Sequence, residues 1–233
     1  MTEQYQTLRD LLLQRVGADL SLFRPSFLER RLSKRIMITN CSDIEAYIAL
    51  FTRDDAEINA LLNELTINVS WFFRNPLTWE LLRSEILPDL INNRAKPQSE
   101  VFRIWSAGCA RGEEPYTMAI LMLELMEKLG DELKIQIIAT DSDTTAIVKA
   151  QKGLYDAEAV KNVPYGILTK YFEQTGSHFQ IRPFVKKLVH FSQYDLLDKQ
   201  HSTPPEAVFG DFDIVICQNV LIYYIKEAGI QIF

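Results

Sequence analysis

The stretch from Val101 to Leu123, VFRIWSAGCARGEEPYTMAILML, constrains the fold of this chain more than any other. Its apolar residues Val101, Ile104 and Trp105 predict the end of a buried strand. Small residues follow, and Glu113 then opens an apolar helix whose first turn has the acidic residues and proline favoured at that position. A strand, a loop of small residues and a helix are typical of doubly wound α/β folds, in which a ligand approaches the loop backbone.

The loop from Gly108 to Gly112 lacks the G-x-G-x-x-G pattern of dinucleotide sites. The carboxylates of Glu113 and Glu114 would also repel a pyrophosphate. They suit a cationic ligand instead, and S-adenosylmethionine carries both an ammonium and a sulfonium group. On this stretch alone two interpretations stay open: a cofactor site, or an ordinary turn between strand and helix with a solvated acidic cap.

Composition sets the class of protein. The 233 residues suffice for one large domain or two small ones, and 47% hydrophobic and 24% charged residues are typical of a soluble globular chain. The net charge of -6 argues against non-specific binding to nucleic acid or to an anionic membrane. No apolar run is long enough to span a bilayer, and the first residues do not resemble a signal peptide. We therefore expect a cytoplasmic protein that neither binds nucleic acid nor inserts into a membrane.

The cysteines and histidines predict no metal site. Cys41, Cys109 and Cys217 are odd in number and widely spaced, so they form neither a disulfide framework nor a metal-ligand pattern and suggest a reducing compartment. The histidines also lack metal-ligand spacing.

Apolar residues at helical spacing predict an all-helical domain over residues 1–65. One predicted helix has a basic stripe on an otherwise acidic protein, formed by Arg30, Arg31, Lys34 and Arg35. The stripe is either a solvated charged face or a docking surface for an acidic partner helix.

Residues 101–233 predict an α/β domain, because strands and helices alternate there. Residues 133–140, LKIQIIAT, predict a second strand that ends at Asp141, where such folds bind ribose hydroxyls. Residues 212–217, FDIVIC, predict a further buried parallel strand, with polar Gln218 and Asn219 at its carboxyl end, where ligands bind in open α/β sheets.

Two further segments interrupt this order. Residues 66–100 are expected to form a linker segment and a helix between the domains. The alternating residues 178–191, HFQIRPFVKKLVHF, predict two short antiparallel strands, and we expect a small β-subdomain inserted at residues 170–192.

Four segments resemble motifs of the chemotaxis-receptor glutamate O-methyltransferases, the CheR family. NVSWFFR resembles the family's Asn-x-Thr-x-Phe-Phe-Arg segment, and SAGCARGEEPYTMA its small-residue loop followed by Gly-Glu-Glu-Pro-Tyr. IIATDSD resembles Ala-Thr-Asp-Ile-Asp, and FDIVICQNVLIYY resembles Phe-Asp-x-Ile-x-Cys-Arg-Asn-Val-Leu-Ile-Tyr-Phe. The resemblance covers nearly the whole chain. It implies an N-terminal helical domain followed by a class I, Rossmann-like S-adenosylmethionine-dependent methyltransferase domain with a small antiparallel β-subdomain. Class I sheets have later edge strands, so we expect this chain to be C-terminally truncated.

The resemblance implies methyl transfer from S-adenosylmethionine to glutamate side chains on receptor signalling helices, which yields S-adenosylhomocysteine and glutamyl methyl esters in sensory adaptation. Two alternatives stay open: methylation of another substrate, or a non-catalytic cofactor-binding signalling module. Some family members also bind a receptor's C-terminal tether peptide through a longer, glycine-rich hairpin. The hairpin here is short and has only Gly176, and Pro183 lacks an N–H, so we do not expect tether binding.

The resemblance also implies the residues that line the cofactor site: Asn68, Ser70, Arg74, Gly108, Glu114, Asp141, Asp195, Leu196, Gln218 and Asn219. Glu114 would pair with the methionyl ammonium, and Asp141 would accept hydrogen bonds from both ribose hydroxyls. Asp195 and Leu196 would flank the adenine.

Two residues are implied to be catalytic. Arg74 would orient the substrate carboxylate or hold the carboxylate of the cofactor, and Tyr223 would shape the methyl channel and donate a hydrogen bond. The alternatives are a surface arginine and a packed tyrosine, and we favour the functional roles because each residue lies at the edge of a ligand-lining motif. The chain departs from the family pattern at three positions, with Ser70 in place of threonine, Gln218 in place of arginine and Asp195 in place of asparagine.

Overall fold

A computed structural model describes residues 3–17, 19–66, 69–93, 101–130, 133–198, 203–209 and 211–232. The chain divides into two compact units, Met1–Ile67 with Asn219–Phe233, and Asn68–Gln218. The first unit is helical and the second is α/β. Within the described residues, no helix is both long enough and apolar enough to cross a membrane.

The helices are, in chain order, α1 (Glu3–Val16), α2 (Pro25–Ile38), α3 (Ile44–Arg53), α4 (Asp55–Leu65), α5 (Pro76–Leu81), α6 (Leu87–Asn92), α7 (Glu113–Leu129), α8 (Thr144–Lys152), α9 (Tyr165–Tyr171), α10 (Pro183–Lys186) and α11 (Lys226–Ile232). The strands are β1 (Val101–Ala107), β2 (Lys134–Asp141), β3 (Leu154–Tyr155), β4 (Phe172–Thr175), β5 (His178–Ile181), β6 (Val189–Gln193) and β7 (Ile214–Ile216). A π-helical turn, Leu82–Ile86, joins α5 to α6. Short 3₁₀ turns lie at Leu20–Leu22, Pro205–Phe209 and Leu221–Tyr223.

The helical unit packs around apolar side chains that recur at helical spacing. Its fully buried residues include Leu8 and Leu12 of α1, Tyr47 and Phe51 of α3, and Leu61 of α4. Aspartates cap two of these helices. The carboxylate of the residue before α3 accepts from the Ala46 N–H at 2.8 Å, and that before α4 accepts from the Ala56 N–H at 2.9 Å.

Residues near the C-terminal end pack within the helical unit. Tyr224 forms an antiparallel bridge with Phe23, and their ring centroids are 4.8 Å apart. The Arg24 N–H donates to the Tyr223 carbonyl at 2.9 Å, and the Ile225 N–H donates to the Leu22 carbonyl at the same distance. The unit is therefore built from both ends of the sequence.

The α/β unit contains a parallel sheet of order β6-β2-β1-β7 and a three-stranded antiparallel sheet of order β3-β5-β4. Ala107 of β1 pairs with Thr140 of β2, and Ser106 pairs with Ile216 of β7, so the carboxyl ends of these strands lie side by side. Nearly every residue of the first three turns of α7 is buried. This architecture confirms the predicted fold class, an all-helical part with an α/β part and a small antiparallel sheet.

The prediction of two antiparallel strands across residues 178–191 was correct only for the first half. His178–Ile181 is β5, which pairs with β4 through a two-residue turn that contains Gly176, at φ 61°. Val189–Gln193 is instead β6 and pairs in parallel with β2 in the main sheet. Between them Pro183 begins α10, so it lies outside the hairpin and does not blunt the hairpin's edge. Alternation over so few residues does not distinguish a hairpin strand from a parallel edge strand.

The segment expected to be a linker contributes to the core of the α/β unit. Phe72, Trp79, Leu82 and Leu87 are all buried there. The Phe72 ring meets the rings of Tyr155 and Phe172 edge-on, with centroids 4.7 and 5.0 Å away. Residues 69–93 are therefore an integral layer of this unit rather than a spacer.

Candidate active site

The candidate site begins where the central strands of the parallel sheet end. The backbone N–H groups of Gly108 and Cys109 both donate to the Thr140 carbonyl, at 2.8 and 2.9 Å, which ties the end of β1 to the end of β2. The loop between β1 and α7 consequently lies across the carboxyl edge of the sheet, where ligands bind in this class of fold.

Three residues of this loop have left-handed backbone conformations, and of these only Ala110 has a Cβ that makes the conformation strained. Gly108 and Gly112 have φ values of 77° and 92°, and Ala110, which is not a glycine, has a φ of 49°. A Cβ on Gly112 would lie 3.0 Å from both the Ala150 Cβ and the Tyr155 hydroxyl. Strain of this kind persists only where the surroundings enforce it, and it is concentrated at functional sites.

Asp141 is the carboxylate that fixes the loop. Its Oδ2 accepts from the Ala110 N–H at 2.8 Å, and its Oδ1 accepts from the Asp143 N–H at 2.9 Å. The residue is 8% exposed, and burial raises the pKa of its carboxyl, although these backbone donors oppose the shift. An oriented acceptor at the end of the second strand suits the hydroxyl groups of a ribose.

Glu114 lies in the first turn of α7 and is 9% exposed. The Ser106 hydroxyl at the end of β1 donates to its Oε1 at 2.7 Å. Burial raises the pKa of this carboxyl to about 7, while the bonds from Ser106 and from the Gln218 backbone, and then the charge of Arg74, lower it. A carboxyl that is held in place and only about half ionised at neutral pH suits a cationic partner, whose charge favours the ionised form.

Glu113 was not among the predicted site residues, but it is fully buried beside them. Burial raises the pKa of its carboxyl to about 7, and neither oxygen has a hydrogen-bond partner among the described residues. The Arg111 Nε lies 3.4 Å from Oε1 but is not aligned for a hydrogen bond. Acidic residues in the first turn of a helix predict a solvated cap. Glu113 is buried instead because α7 packs against the sheet, and the local sequence does not show that packing.

Arg74 is placed by another strained loop. Its neighbours Phe73 and Asn75 have φ values of 53° and 56°. The Phe73 N–H donates to the Thr117 hydroxyl of α7 at 3.3 Å, which anchors the loop to the helix that carries Glu114. The Arg74 guanidinium donates to the Val69 carbonyl at 2.8 Å and lies 4.7 Å from the centre of the Trp71 ring.

Comparison with known proteins identifies the family to which the chain belongs. Residues 3–66 match the family model "CheR methyltransferase, all-alpha domain", and residues 68–233 match "CheR methyltransferase, SAM binding domain". The chain belongs to the CheR methyltransferase family. CheR proteins use S-adenosylmethionine, and this chain is an S-adenosylmethionine-dependent methyltransferase.

Three relatives show how far the CheR similarity extends. The chain is 33% identical over 219 residues to Chemotaxis protein methyltransferase 2 of Vibrio cholerae serotype O1. The matched region covers 93% of this chain and 73% of that protein. It is 30% identical over 215 residues to the chemotaxis protein methyltransferase of Borreliella burgdorferi, with 91% and 74% covered. It is also 30% identical over 226 residues to the Escherichia coli K12 chemotaxis protein methyltransferase, with 94% and 73% covered.

The residues of this CheR chain fit the cofactor. Glu114 offers a buried carboxyl to a cation, and Asp141 offers an oriented acceptor to hydroxyls. The side-chain amide nitrogen of Gln218 is buried and has no hydrogen-bond partner among the described residues, so it is a donor available to a ligand. Each group has a polarity that one part of S-adenosylmethionine complements.

The other predicted cofactor residues have separate environments. Asp195 is exposed and accepts from the Leu197 N–H at 2.9 Å, and Leu196 packs against the apolar cluster that contains Trp105. Ser70 is half-buried, and Asn68 lies outside the described residues.

Asn219 and Tyr223, two of the predicted site residues, belong to the helical unit. Asn219 has a φ of 59°. Tyr223 packs on Phe27, with ring centroids 5.2 Å apart. That contact gives Tyr223 a structural role in its own unit.

The basic stripe is engaged in ion pairs inside the helical unit, which neither interpretation of the sequence anticipated. Arg31 and Lys34 of α2 each contact the Glu64 carboxylate at 2.8 Å. Arg35 makes a forked contact with Glu57 of α4, at 3.0 and 2.6 Å. Arg30 and Lys34 are exposed, whereas Arg31 and Arg35 are half-buried.

Proposed function

We propose that this chain transfers the methyl group of S-adenosylmethionine to glutamate side chains on the cytoplasmic signalling helices of chemotaxis receptors. The observation that carries the proposal is the buried Glu114, held by Ser106 beside Arg74 in a CheR-type fold. The names of the relatives, chemotaxis protein methyltransferases, support the receptor as substrate. The reaction belongs in the cytoplasm, where these receptor helices lie.

The chemistry asks little of the protein beyond binding and orientation. A glutamate carboxyl has a pKa of about 4.3 and is already ionised at neutral pH, so no general base is needed. S-adenosylmethionine supplies an activated methyl group on its sulfonium. The chain must align the attacking oxygen with that methyl group and strip water from the carboxylate.

Arg74 is the residue best suited to orient the anionic substrate, because a guanidinium makes a forked contact with a carboxylate. Its strained and anchored loop keeps the side chain in place before substrate arrives. In this proposal Tyr223 shapes the methyl channel. Asn68, Ser70, Gly108, Asp195, Leu196, Gln218 and Asn219 complete the cofactor site around Glu114 and Asp141.

The receptor docks on the basic helix α2 in this proposal, with Arg30 as the cation that the partner contacts first. Ion pairs with Glu64 and Glu57 position the other three cations of the stripe, Arg31, Lys34 and Arg35. These three contribute to the electrostatic potential of the surface. Binding of a C-terminal tether peptide is not part of the proposed function, because the β4–β5 hairpin has a turn of only two residues. Equal methylation of one receptor with and without its last residues would support this view, and a large rate loss on truncation would refute it.

The test is methyl transfer from labelled S-adenosylmethionine to a receptor cytoplasmic fragment. The proposal predicts label in the receptor that mild alkali releases as methanol, since methyl esters are base-labile. Label in a small molecule, or alkali-stable label in the protein, would show another substrate class. Binding of S-adenosylhomocysteine without any transfer would show a signalling module instead.

A further inference from the structure

Two cations lie against one indole ring beside the candidate active site. The Arg74 guanidinium is 4.7 Å from the centre of the Trp71 ring, and the Lys161 ammonium is 5.0 Å from the same centre. Their positive charges are therefore separated by no more than the sum of these distances. Cations over indole faces are attracted by the ring quadrupole, which fixes both heads at this position.

The packing around the indole makes this arrangement rigid. The Phe72 N–H donates to the Ala159 carbonyl at 2.9 Å, which joins the Trp71 loop to the turn that precedes Lys161. Ala159 and Val160 are buried, and the Asp156 carboxylate accepts from the Ala159 N–H at 2.9 Å. Lys161 thus keeps its place relative to Arg74 without any contribution from a bound ligand.

Lys161 does not contribute enough to folding to explain its position. Its ion-pair partner is Glu158, three residues earlier, and the two side chains are 43% and 78% exposed. Exposed pairs of this kind contribute little stability, and the lysine is able to exchange this partner for another anion. Placing a second positive charge near Arg74, on a chain of net charge -6, favours a ligand with more than one negative charge.

We propose that Lys161 is a specificity-determining residue that binds a second carboxylate of the substrate segment, while Arg74 faces the carboxylate that is methylated. This inference rests on the proposed function. Side chains three or four residues apart on a helix are neighbours, at about 5–6 Å between Cβ atoms. The substrate that fits is therefore a helix with an acidic residue within one turn of the target glutamate. Lys161 takes no part in cofactor binding or in the bond changes.

The test compares Lys161→Glu, Lys161→Gln and Lys161→Arg with the unsubstituted enzyme. Lys149→Glu is the matched control, because Lys149 is an exposed lysine of α8 and its reversal changes the net charge equally. Lys161→Glu should raise KM for a receptor fragment about tenfold, with kcat and S-adenosylhomocysteine affinity unchanged. Lys161→Gln should raise it less, and Lys161→Arg should preserve it.

A second substrate completes the test, a receptor fragment in which the acidic residues within one turn of the target are changed to glutamine. With this fragment the KM difference between the unsubstituted and Lys161→Glu enzymes should disappear, as a double-mutant cycle requires for a direct contact. An equal KM for Lys161→Glu and Lys149→Glu on the original fragment would overturn the inference, and so would a loss of S-adenosylhomocysteine affinity in Lys161→Glu. Failure of the unsubstituted enzyme to methylate the fragment would instead overturn the proposed function, and this inference with it.

Discussion

The Ser106 hydroxyl donates a 2.7 Å hydrogen bond to the Glu114 carboxylate, which links the end of the first strand to the first turn of the buried helix. The bond orients a carboxyl group that burial keeps close to half-protonated at neutral pH, with a pKa of about 7. A protein that holds an acid in this state can couple ligand charge to proton release.

The first prediction concerns cofactor binding and pH. A bound ammonium favours the ionised form of Glu114, so binding below pH 7 should release a proton, and affinity for S-adenosylhomocysteine should fall as the pH falls from 8 to 6. Calorimetry in buffers of different ionisation enthalpy measures the proton count. Glu114→Gln should weaken binding by roughly tenfold to a hundredfold and remove most of this pH dependence. A pH-independent affinity of the unsubstituted protein would contradict the assignment.

The second prediction concerns Glu113 and folding stability. Its pKa is raised to about 7 in the folded protein, above the ordinary value of 4.5 that applies when it is unfolded. The folded state therefore binds more protons at Glu113 between these values, and the contribution of Glu113 to stability is most favourable below pH 4.5 and is lost as the pH rises through 7. Glu113→Gln should increase the free energy of unfolding at pH 8 by on the order of 1–2 kcal/mol and change it little near pH 4.

Urea unfolding at both pH values measures this difference. The Glu113 assignment fails if the substitution shifts stability equally at the two pH values, because an amide would then act through packing alone.

The third prediction separates stability from docking in α2. The Arg35 guanidinium makes a forked contact with the Glu57 carboxylate, which also accepts a hydrogen bond from the Tyr47 hydroxyl at 2.6 Å. Arg35→Ala leaves a buried carboxylate unpaired and should lower the free energy of unfolding by about 3–5 kcal/mol. Arg30→Ala, at an exposed position of the same helix, should change it by less than about 0.5 kcal/mol.

Docking should therefore be tested at Arg30 and not at its paired neighbours. Arg30→Glu should raise KM for the receptor with stability intact, and more strongly at low salt, where charges are least screened. Equal unfolding energies for Arg35→Ala and Arg30→Ala would show that the Arg35–Glu57 pair is not formed in solution.

The fourth prediction concerns the loop across the sheet edge. Gly112→Ala puts a Cβ against Ala150 and Tyr155 and also strains a φ of 92°. Gly130→Ala is the matched control, because it has a φ of 66° but nothing within 4 Å of its new Cβ. Gly112→Ala should cost about 1–3 kcal/mol more than Gly130→Ala in urea unfolding, as overpacking does. An equal loss of unfolding free energy in the two variants would contradict this prediction. It would mean that the loop relieves the contacts with Ala150 and Tyr155, and that only the backbone strain destabilises the protein.

The sequence predicts those parts of the fold that depend on local order. The acidic residues and the apolar run predict a helix that opens at Glu113, and α7 begins at that residue. The second strand ends at Asp141, as its apolar run indicates. These features follow from neighbours within one or two turns of the chain.

Other features depend on contacts between distant segments, and local patterns do not contain them. The pairing of Arg35 with Glu57 joins two helices, so the basic stripe looked free in the sequence. The edge strand β6 alternates like a hairpin strand, and only its pairing with β2 distinguishes them. The position of Lys161 against Trp71 has no signal in either segment, because it is set by how the two loops pack.

The most direct test of the central claim is mass spectrometry of a receptor cytoplasmic fragment after incubation with S-adenosylmethionine and this enzyme. The account predicts methyl groups on glutamate residues of the signalling helices that alkali removes. Arg74→Ala, with its thermal stability retained, should have lost nearly all of this modification. Methylation at nitrogen or at residues other than glutamate, or full activity of a folded Arg74→Ala protein, would contradict the account.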